Sequence, residues 1–265
     1  MNQILAAAKW KLREALVSRN LFLGPSTRMR DVSRLIASLR PVAVETELRR
    51  FGPRGDGGYL MPDDLDGVAG CISPGVSTEV GFDLDIARLG IDVYMADGSV
   101  AAPPVSHERF HFIRKYLETF NSEDSITLDD YCATVAGDAD LILQMDIEGA
   151  EYRVLTAASE RALARFRIMV IEFHDLEYLF SPISFREINA VFGKLLRTHE
   201  VVHIHPNNAQ TAMTTGPLSI PRLLEFTFYR KDRVRRAAGP LAFPHPLDSE
   251  NYVEFSPLTL PECWH

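Results

Sequence analysis

At 265 residues, 46% hydrophobic and with a formal net charge of −8, the chain is long enough to bury a large core as one α/β domain with appendages. The charge is uneven: residues 1–40 hold eight Lys or Arg against Glu14 and Asp31, a local +6 that leaves −14 on the other 225 residues. An acidic globule of this kind argues against nucleic acid as a partner, because gripping a phosphate backbone relies on Lys and Arg. Cys71, Cys132 and Cys263 are far apart, contain no C-x-x-C pair and read as reduced thiols. No run approaches the ~20 apolar residues of a membrane span, and "ILAAA" is too short for a signal peptide; a cytoplasmic protein is expected.

Residues 1–47 form a basic N-terminal segment with helical spacing, Leu5, Leu12 and Leu16 falling on one face with Lys9, Lys11 and Arg13 around it. Two roles fit this segment: packing on the domain, or a weak contact with an anionic membrane surface or a partner protein, which would make the chain peripheral at the inner face of a membrane. The glycine-dense stretch "RFGPRGDGGYLMPDD" follows, holding Arg54, Asp56, Gly57, Gly58 and Tyr59. It either lies over a cleft and closes on cofactor or acceptor, with Gly58 at the cofactor, or is a loop leading into a hairpin.

From residue 68 onward, short β-branched apolar runs alternate with helical patterns. Strands are expected at 68–73, 91–96, 109–114, 141–146, 168–173, 201–205 and 223–230. Helices fit between most of them: "STEVGFDLDIARLG" ends on a Gly suited to the position after a helix, "TLDDYCATVAG" starts on a capping Thr, and "ISFREINAVFGKLLRTH" repeats apolar residues at helical spacing. Strand, helix, strand in sequence predicts a mainly parallel sheet with right-handed crossovers. No helix precedes the last strand, so the last two are expected to pair antiparallel. The domain is expected over 48–235, followed by a tail, 236–265, with five of the sixteen prolines, either packed on the domain or trailing from it.

Open parallel sheets bind ligands outside the carboxyl ends of their strands. At the first such end, Ser73, Pro74, Gly75 and Val76 turn a strand into a helix, a geometry that brings backbone N–H groups close to a ligand. One glycine where a dinucleotide fingerprint wants G-x-G-x-x-G argues against a pyrophosphate cradle and against a nicotinamide-dependent oxidoreductase. Asp97 closes the second strand 22 positions after Gly75, where a carboxylate can take both hydroxyls of a ribose, and Gly98 keeps the approach open. Together they point to an adenosine-type cofactor without a pyrophosphate. The stretch "LILQMDIEGAEYRVL" then runs apolar residues into Asp146, Glu148 and Glu151. Asp146 projects at the strand end, with Glu148 on the same side, whereas Glu151 sits in the first helical turn, where its charge favours the helix dipole. In "IMVIEFHDL", Glu172 and His174 are two residues apart on one side of the next strand end. Asp146 and Glu172 with His174 could hold Mg²⁺ or Mn²⁺, or His174 could serve alone as a general base. "HIHPNN" adds His203, His205, Asn207 and Asn208 at a further strand end, unless the asparagines only form a turn.

The segments "ISPGVSTEVGFDLDIARLG", "LILQMDIEGAEYRVL", "IEFHDL" and "GDGGYLMP" resemble FkbM-type and related methyltransferases, over about residues 48–230, and the "FPHPLDSENY" tail is similar to bacterial members. The resemblance implies a Rossmann-like fold of seven strands and S-adenosylmethionine as cofactor, with Ser73, Gly75 and Val76 at its methionine part and Asp97 at its ribose. It further implies O-methylation of a sugar or other natural-product hydroxyl, with a saccharide or small-molecule acceptor and a metal ion in some relatives. A cofactor-binding partner protein without turnover is the alternative outside catalysis; the strand-end carboxylates argue against it.

Overall fold

The computed structural model describes residues 3–19 and 24–265, and side-chain environments from residue 9 onward. In chain order the elements are α1 (Gln3–Val17), α2 (Met29–Ser38), β1 (Leu48–Phe51), β2 (Tyr59–Pro62), β3 (Gly70–Pro74), α3 (Gly81–Arg88), β4 (Val93–Ala96), β5 (Phe110–Ile113), β6 (Tyr116–Leu117) and β7 (Ser125–Ile126). Then come α4 (Leu128–Ala133), β8 (Leu141–Met145), α5 (Glu151–Ala157), α6 (Glu160–Arg165), β9 (Phe166–Phe173), α7 (Pro182–Thr198), β10 (His199–Pro206), β11 (Ala212–Thr215), β12 (Leu218–Pro221) and β13 (Leu224–Arg230).

Seven strands form the main sheet in the order β10-β13-β9-β8-β3-β4-β5. Every residue of β3, β8 and β9 is buried, as expected for strands covered on both faces, which therefore read as mainly apolar runs. The five strands from β9 to β5 run parallel. All seven expected strands are present, and the fold is the Rossmann-like α/β arrangement with an antiparallel last strand. That strand, β13, pairs antiparallel with β10 as the sequence predicts, and it also pairs antiparallel with β9, so it sits between them. The chain leaves β3 in one direction toward β4 and β5 and in the other toward β8 and β9. The crevice of a topological switch point thus opens above the carboxyl ends of β3 and β8.

Local chemistry sets the helix ends. Thr127 caps α4 by accepting a hydrogen bond from the Asp130 amide at 3.2 Å. The expected helix over "STEVGFDLDIARLG" is shorter than its pattern: α3 begins at Gly81, because Ser77 takes a left-handed conformation (φ 43°) and the chain stays in a turn to Val80. In α7 the buried residues Ile188, Val191, Phe192 and Leu195 recur at helical spacing and press one face on the sheet.

Apolar layers cover both faces of the sheet. One gathers Phe173, Phe192, Phe226 and Trp264, with ring centroids 4.6 to 6.0 Å apart along the chain of contacts. Removing one such aromatic ring to Ala typically costs about 3–5 kcal/mol. The other layer packs Phe51, Tyr59, Phe82 and Ile86 beneath α3. In the N-terminal segment, α2 buries Val32, Leu35 and Ile36 in the first layer. Around α1, by contrast, Trp10, Leu12 and Val17 are exposed and Leu16 is half-buried; the side chain of Leu5 lies outside the described residues. The tail lies on the domain, where Trp264 is fully buried and donates its indole N–H to the Ser219 carbonyl at 3.0 Å. Among the described residues no helix is long and apolar enough to cross a membrane.

Candidate active site

The β3-to-α3 turn meets the end of β8. Gly75 has φ +90°, and a Cβ placed on it would overlap the carbonyl oxygen of Asp146, so only glycine fits between the two strand ends. The amides of Val76 and Ser77 both donate to Asp97 Oδ2 at 3.0 Å, while Asp97 Oδ1 accepts from the Ser99 amide at 2.7 Å and its hydroxyl at 2.6 Å. Burial raises the Asp97 pKa, but the hydrogen bonds from Ser99, Ser77 and Val76 outweigh it and hold the carboxyl below its usual range. Asp97 therefore fixes the turn as well as facing the cleft.

A cavity of about 320 Å³ opens there, lined by Gly75 and Ser77 on one wall, Asp97 and Ser99 on another, and Asp146, Ile147 and Glu148 on a third. Tyr116, Leu117, Glu118, Ala150 and Arg153 complete it, with Arg153 and Glu118 in a two-pronged ion pair, Nη2 to Oε1 at 2.7 Å and Nε to Oε2 at 3.0 Å. Of the residues expected to hold the cofactor, Gly75 and Asp97 line this space. Ser73 does not: its hydroxyl donates to Gln144 Oε1 at 2.8 Å inside the sheet. Nor do Pro74 or Val76, whose side chains are buried, Val76 presenting only its amide to Asp97. Gly98 leaves no open approach, because the ring of Tyr116 lies against it. Gly58 lies inside the β1–β2 hairpin, packed on Arg50 and the Pro53 carbonyl and away from the cavity. The glycine-dense stretch is thus the loop of this hairpin.

Asp146 follows the last residue of β8, and His174 follows the last residue of β9. His174 Nε2 lies 3.8 Å from Asp146 Oδ1 and 3.4 Å from Glu148 Oε2, and its Nδ1 lies 3.2 Å from Glu151 Oε1. Asp146, Glu148 and His174 present one ligand atom each within 4.8 Å of one another. Glu172 is not part of that group, contrary to the expected pairing with Asp146 at a metal. It is buried within β9, in register with Glu225 of β13, and accepts a hydrogen bond from the Asn207 amide at 3.1 Å. Alternation along a strand puts residues two apart on one face only while the strand continues, and β9 stops at Phe173. Burial first, then the charges of Asp146 and Glu225, push the Glu172 carboxyl well above its usual range.

Glu151 lies in the first turn of α5, as expected, and is buried there. Its exposure is 0%, and its Oε1 accepts from the Ile147 and Gly149 amides at 3.2 and 3.1 Å, fixing the loop that carries Glu148, itself left-handed at φ 56°. Burial lowers the His174 pKa, but the Glu151 carboxylate beside Nδ1 and the charges of Asp146 and Glu148 override it and bring the value to about 9. The imidazole is then favoured as a cation at neutral pH. Asp146 is raised to about 7, by burial first and by Glu148, Glu151 and Asp56 against the opposing pull of His174. The group that gains and loses a proton near neutrality is Asp146.

Behind this edge the chain's distant parts meet. Asp56 of the hairpin loop accepts from Asn251 Nδ2 at 3.1 Å, Tyr252 Oη at 3.0 Å and Asn207 Nδ2 at 3.3 Å. His203 and His205 of β10 flank Asp248 Oδ1 of the tail at 3.0 and 3.7 Å, and the Asn208 amide donates to the Tyr252 carbonyl at 2.8 Å. Asn208 is therefore an anchor for the tail, whereas Asn207 joins Asp56 to Glu172 and forms a turn by accepting from the Ala209 amide at 2.9 Å.

Asp97→Ala is expected to weaken binding of S-adenosylhomocysteine, a probe for the cofactor that the resemblance implies, by about 1–3 kcal/mol, since a charged acceptor and the order of the turn are lost together. Calorimetry showing wild-type affinity in a variant folded by circular dichroism would remove Asp97 from the site.

Residues 91–201 match the methyltransferase FkbM domain family. Among solved structures, the chain is similar to a methyltransferase FkbM from Methylobacillus flagellatus KT, at 17% identity over 60% of this chain and 43% of that one, with a TM-score of 0.34. It is also similar to a putative DNA modification methyltransferase from an E. coli prophage, at 13% identity, 66% and 53% coverage and a TM-score of 0.39. The Methanococcus jannaschii fibrillarin pre-rRNA processing protein is a third, at 11% identity, 71% and 83% coverage and a TM-score of 0.39. The chain spans about half the length of the first two of these structures. No protein of curated function matches the sequence. The matched residues supply the strand ends that carry Asp97, Asp146 and His174, so the likeness to the FkbM methyltransferase domain covers the candidate site.

Proposed function

We propose that the chain transfers the methyl group of S-adenosylmethionine to a hydroxyl of a saccharide or glycoconjugate. The observation that carries this reading is the single cavity that joins the Gly75–Asp97 turn, suited to an adenosine-bearing cofactor, to the carboxylate of Asp146. In the reaction the acceptor oxygen attacks the methyl carbon, the carbon–sulfur bond breaks with its electron pair passing to sulfur, and the hydroxyl proton goes to Asp146. Alcohols are weak nucleophiles, so a base held at the transfer point is needed. The His174 cation keeps Asp146 ionised at lower pH than burial alone would allow, and the buried Glu151 fixes the imidazole from behind. Alignment of acceptor and methyl group within the cleft supplies much of the acceleration.

The same three side chains fit a hard divalent ion. Asp146 Oδ1 is buried without a hydrogen-bond partner, and Glu151 faces Nδ1 of His174 so that Nε2 is left toward the carboxylates, the arrangement of a carboxylate-oriented metal histidine. Asp146, Glu148 and His174 would hold Mg²⁺ or Mn²⁺, whose chemistry is to lower the pKa of a hydroxyl. Titration of S-adenosylhomocysteine and of NAD into the chain tests the cofactor: heat from the first and none from the second is expected, and the reverse overturns the reading. Methyl transfer to a panel of saccharides, assayed with EDTA and then with added Mn²⁺, tests the ion. Loss and recovery are expected for a metal-assisted site, and indifference to EDTA leaves Asp146 as the base alone.

A further inference from the structure

An isolated 15-residue helix is marginal in water and normally persists because one face is covered. Among the described residues, 9–19 leave their side chains exposed, Leu16 alone being half-buried. Trp10, Leu12 and Val17 are 60, 56 and 54% exposed, whereas α2, a few residues further on, buries its apolar face in the domain. Trp10 and Val17 lie two turns apart on one side of α1, and the Trp10 indole N–H donates to Glu14 of the same helix at 2.9 Å, not to the domain. Lys9, Lys11, Arg13 and Arg19 are all exposed among these apolar groups, with Glu14 as the one acidic residue in 9–19. Arg28, Arg30 and Arg34 continue the exposed positive surface into α2.

We propose that α1 docks the protein on an anionic lipid surface. Charge and apolar chemistry select this occupant together. Trp10 and Val17 share one side of α1 with Arg13 beside them, Leu12 lying on the opposite side, and the headgroup boundary of a bilayer takes an indole and an aliphatic side chain below a layer of anionic groups that the flanking Lys and Arg residues meet. The −14 carried by the other 225 residues is repelled by the same lipids, so a helix that projects from the domain makes contact while the acidic body stays clear. Docking of this kind places an acceptor-modifying site next to membrane-bound glycoconjugates without a membrane-spanning segment.

Flotation of the full chain with phosphatidylcholine vesicles containing about one-third phosphatidylserine, beside pure phosphatidylcholine vesicles, tests the proposal. Recovery with the anionic vesicles only, and its loss at about 0.5 M salt, are expected. The triple variant Lys9→Glu, Lys11→Glu, Arg13→Glu should lower partitioning at least about tenfold, because each basic residue near the surface contributes severalfold. Of the two tryptophans, Trp264 is buried, so a shift of emission to shorter wavelength on adding vesicles reads Trp10 entering the interface, and Trp10→Phe should abolish it. Equal recovery with neutral and anionic vesicles, or wild-type recovery of the triple variant, overturns the proposal. Concentration-dependent self-association in sedimentation velocity, removed by the triple variant and accompanied by no flotation, assigns the helix to a second copy of the chain and overturns it as well.

Discussion

Gly75→Ala is expected to abolish S-adenosylhomocysteine binding and to lower stability by about 3–5 kcal/mol, at the upper end of single-residue effects. Two penalties act at once. An alanine at φ +90° is strained whatever its surroundings, and the new methyl group would occupy the space of the Asp146 carbonyl oxygen, which belongs to the backbone of the neighbouring strand end and cannot swing away. The strand ends must separate, and with them the Gly75–Asp97 and Asp146 walls of the cavity. Urea unfolding and calorimetry measure the two effects; wild-type values in both would show that β3 and β8 have room the geometry denies.

Asp146→Asn is expected to leave S-adenosylhomocysteine affinity within about threefold of wild type and to reduce turnover by about 10²–10⁴, the usual contribution of a positioned base. The amide keeps the shape of the carboxylate and removes its capacity to take a proton. In the wild type, activity should rise with pH through about 7 as Asp146 ionises and fall near about 9 as His174 loses its proton. The variant should lack the rising limb. Full turnover of Asp146→Asn on its acceptor sinks the assignment. The same groups set a stability profile. Both have folded-state pKa values raised above their ordinary ones, so their contribution is complete on the acid side and is lost as pH rises, for Asp146 between about 4 and about 7 and for His174 between about 6.5 and about 9.

The strands were legible because β3, β8 and β9 are buried on both faces and so read as mainly apolar runs, and the positions of Asp146 and Asp97 follow from where such runs stop. The insertion of β13 between β9 and β10 was not, since an antiparallel last strand is equally compatible with an outer position. The burial of Glu151 was not legible, because nothing local in a first helical turn announces that a histidine 23 positions later will close over it. Glu172 misled through strict alternation carried one residue past the end of its strand. Tyr116 belongs to a two-residue strand too short for any period and Glu118 directly follows it, and the meeting of Asp56 with Asn251, 195 positions apart, leaves no local trace at all.

The place of β13 also fixes the order in which the chain can mature. Its partners β9 and β10 end at residues 173 and 206, yet the strand that joins them closes only at residue 230. During synthesis β9 therefore waits with its backbone N–H and C=O groups unpaired along one side, and β10 has no neighbour in the sheet, until β13 has left the ribosome and slid between them. An open edge of eight buried residues is a template for pairing with other chains.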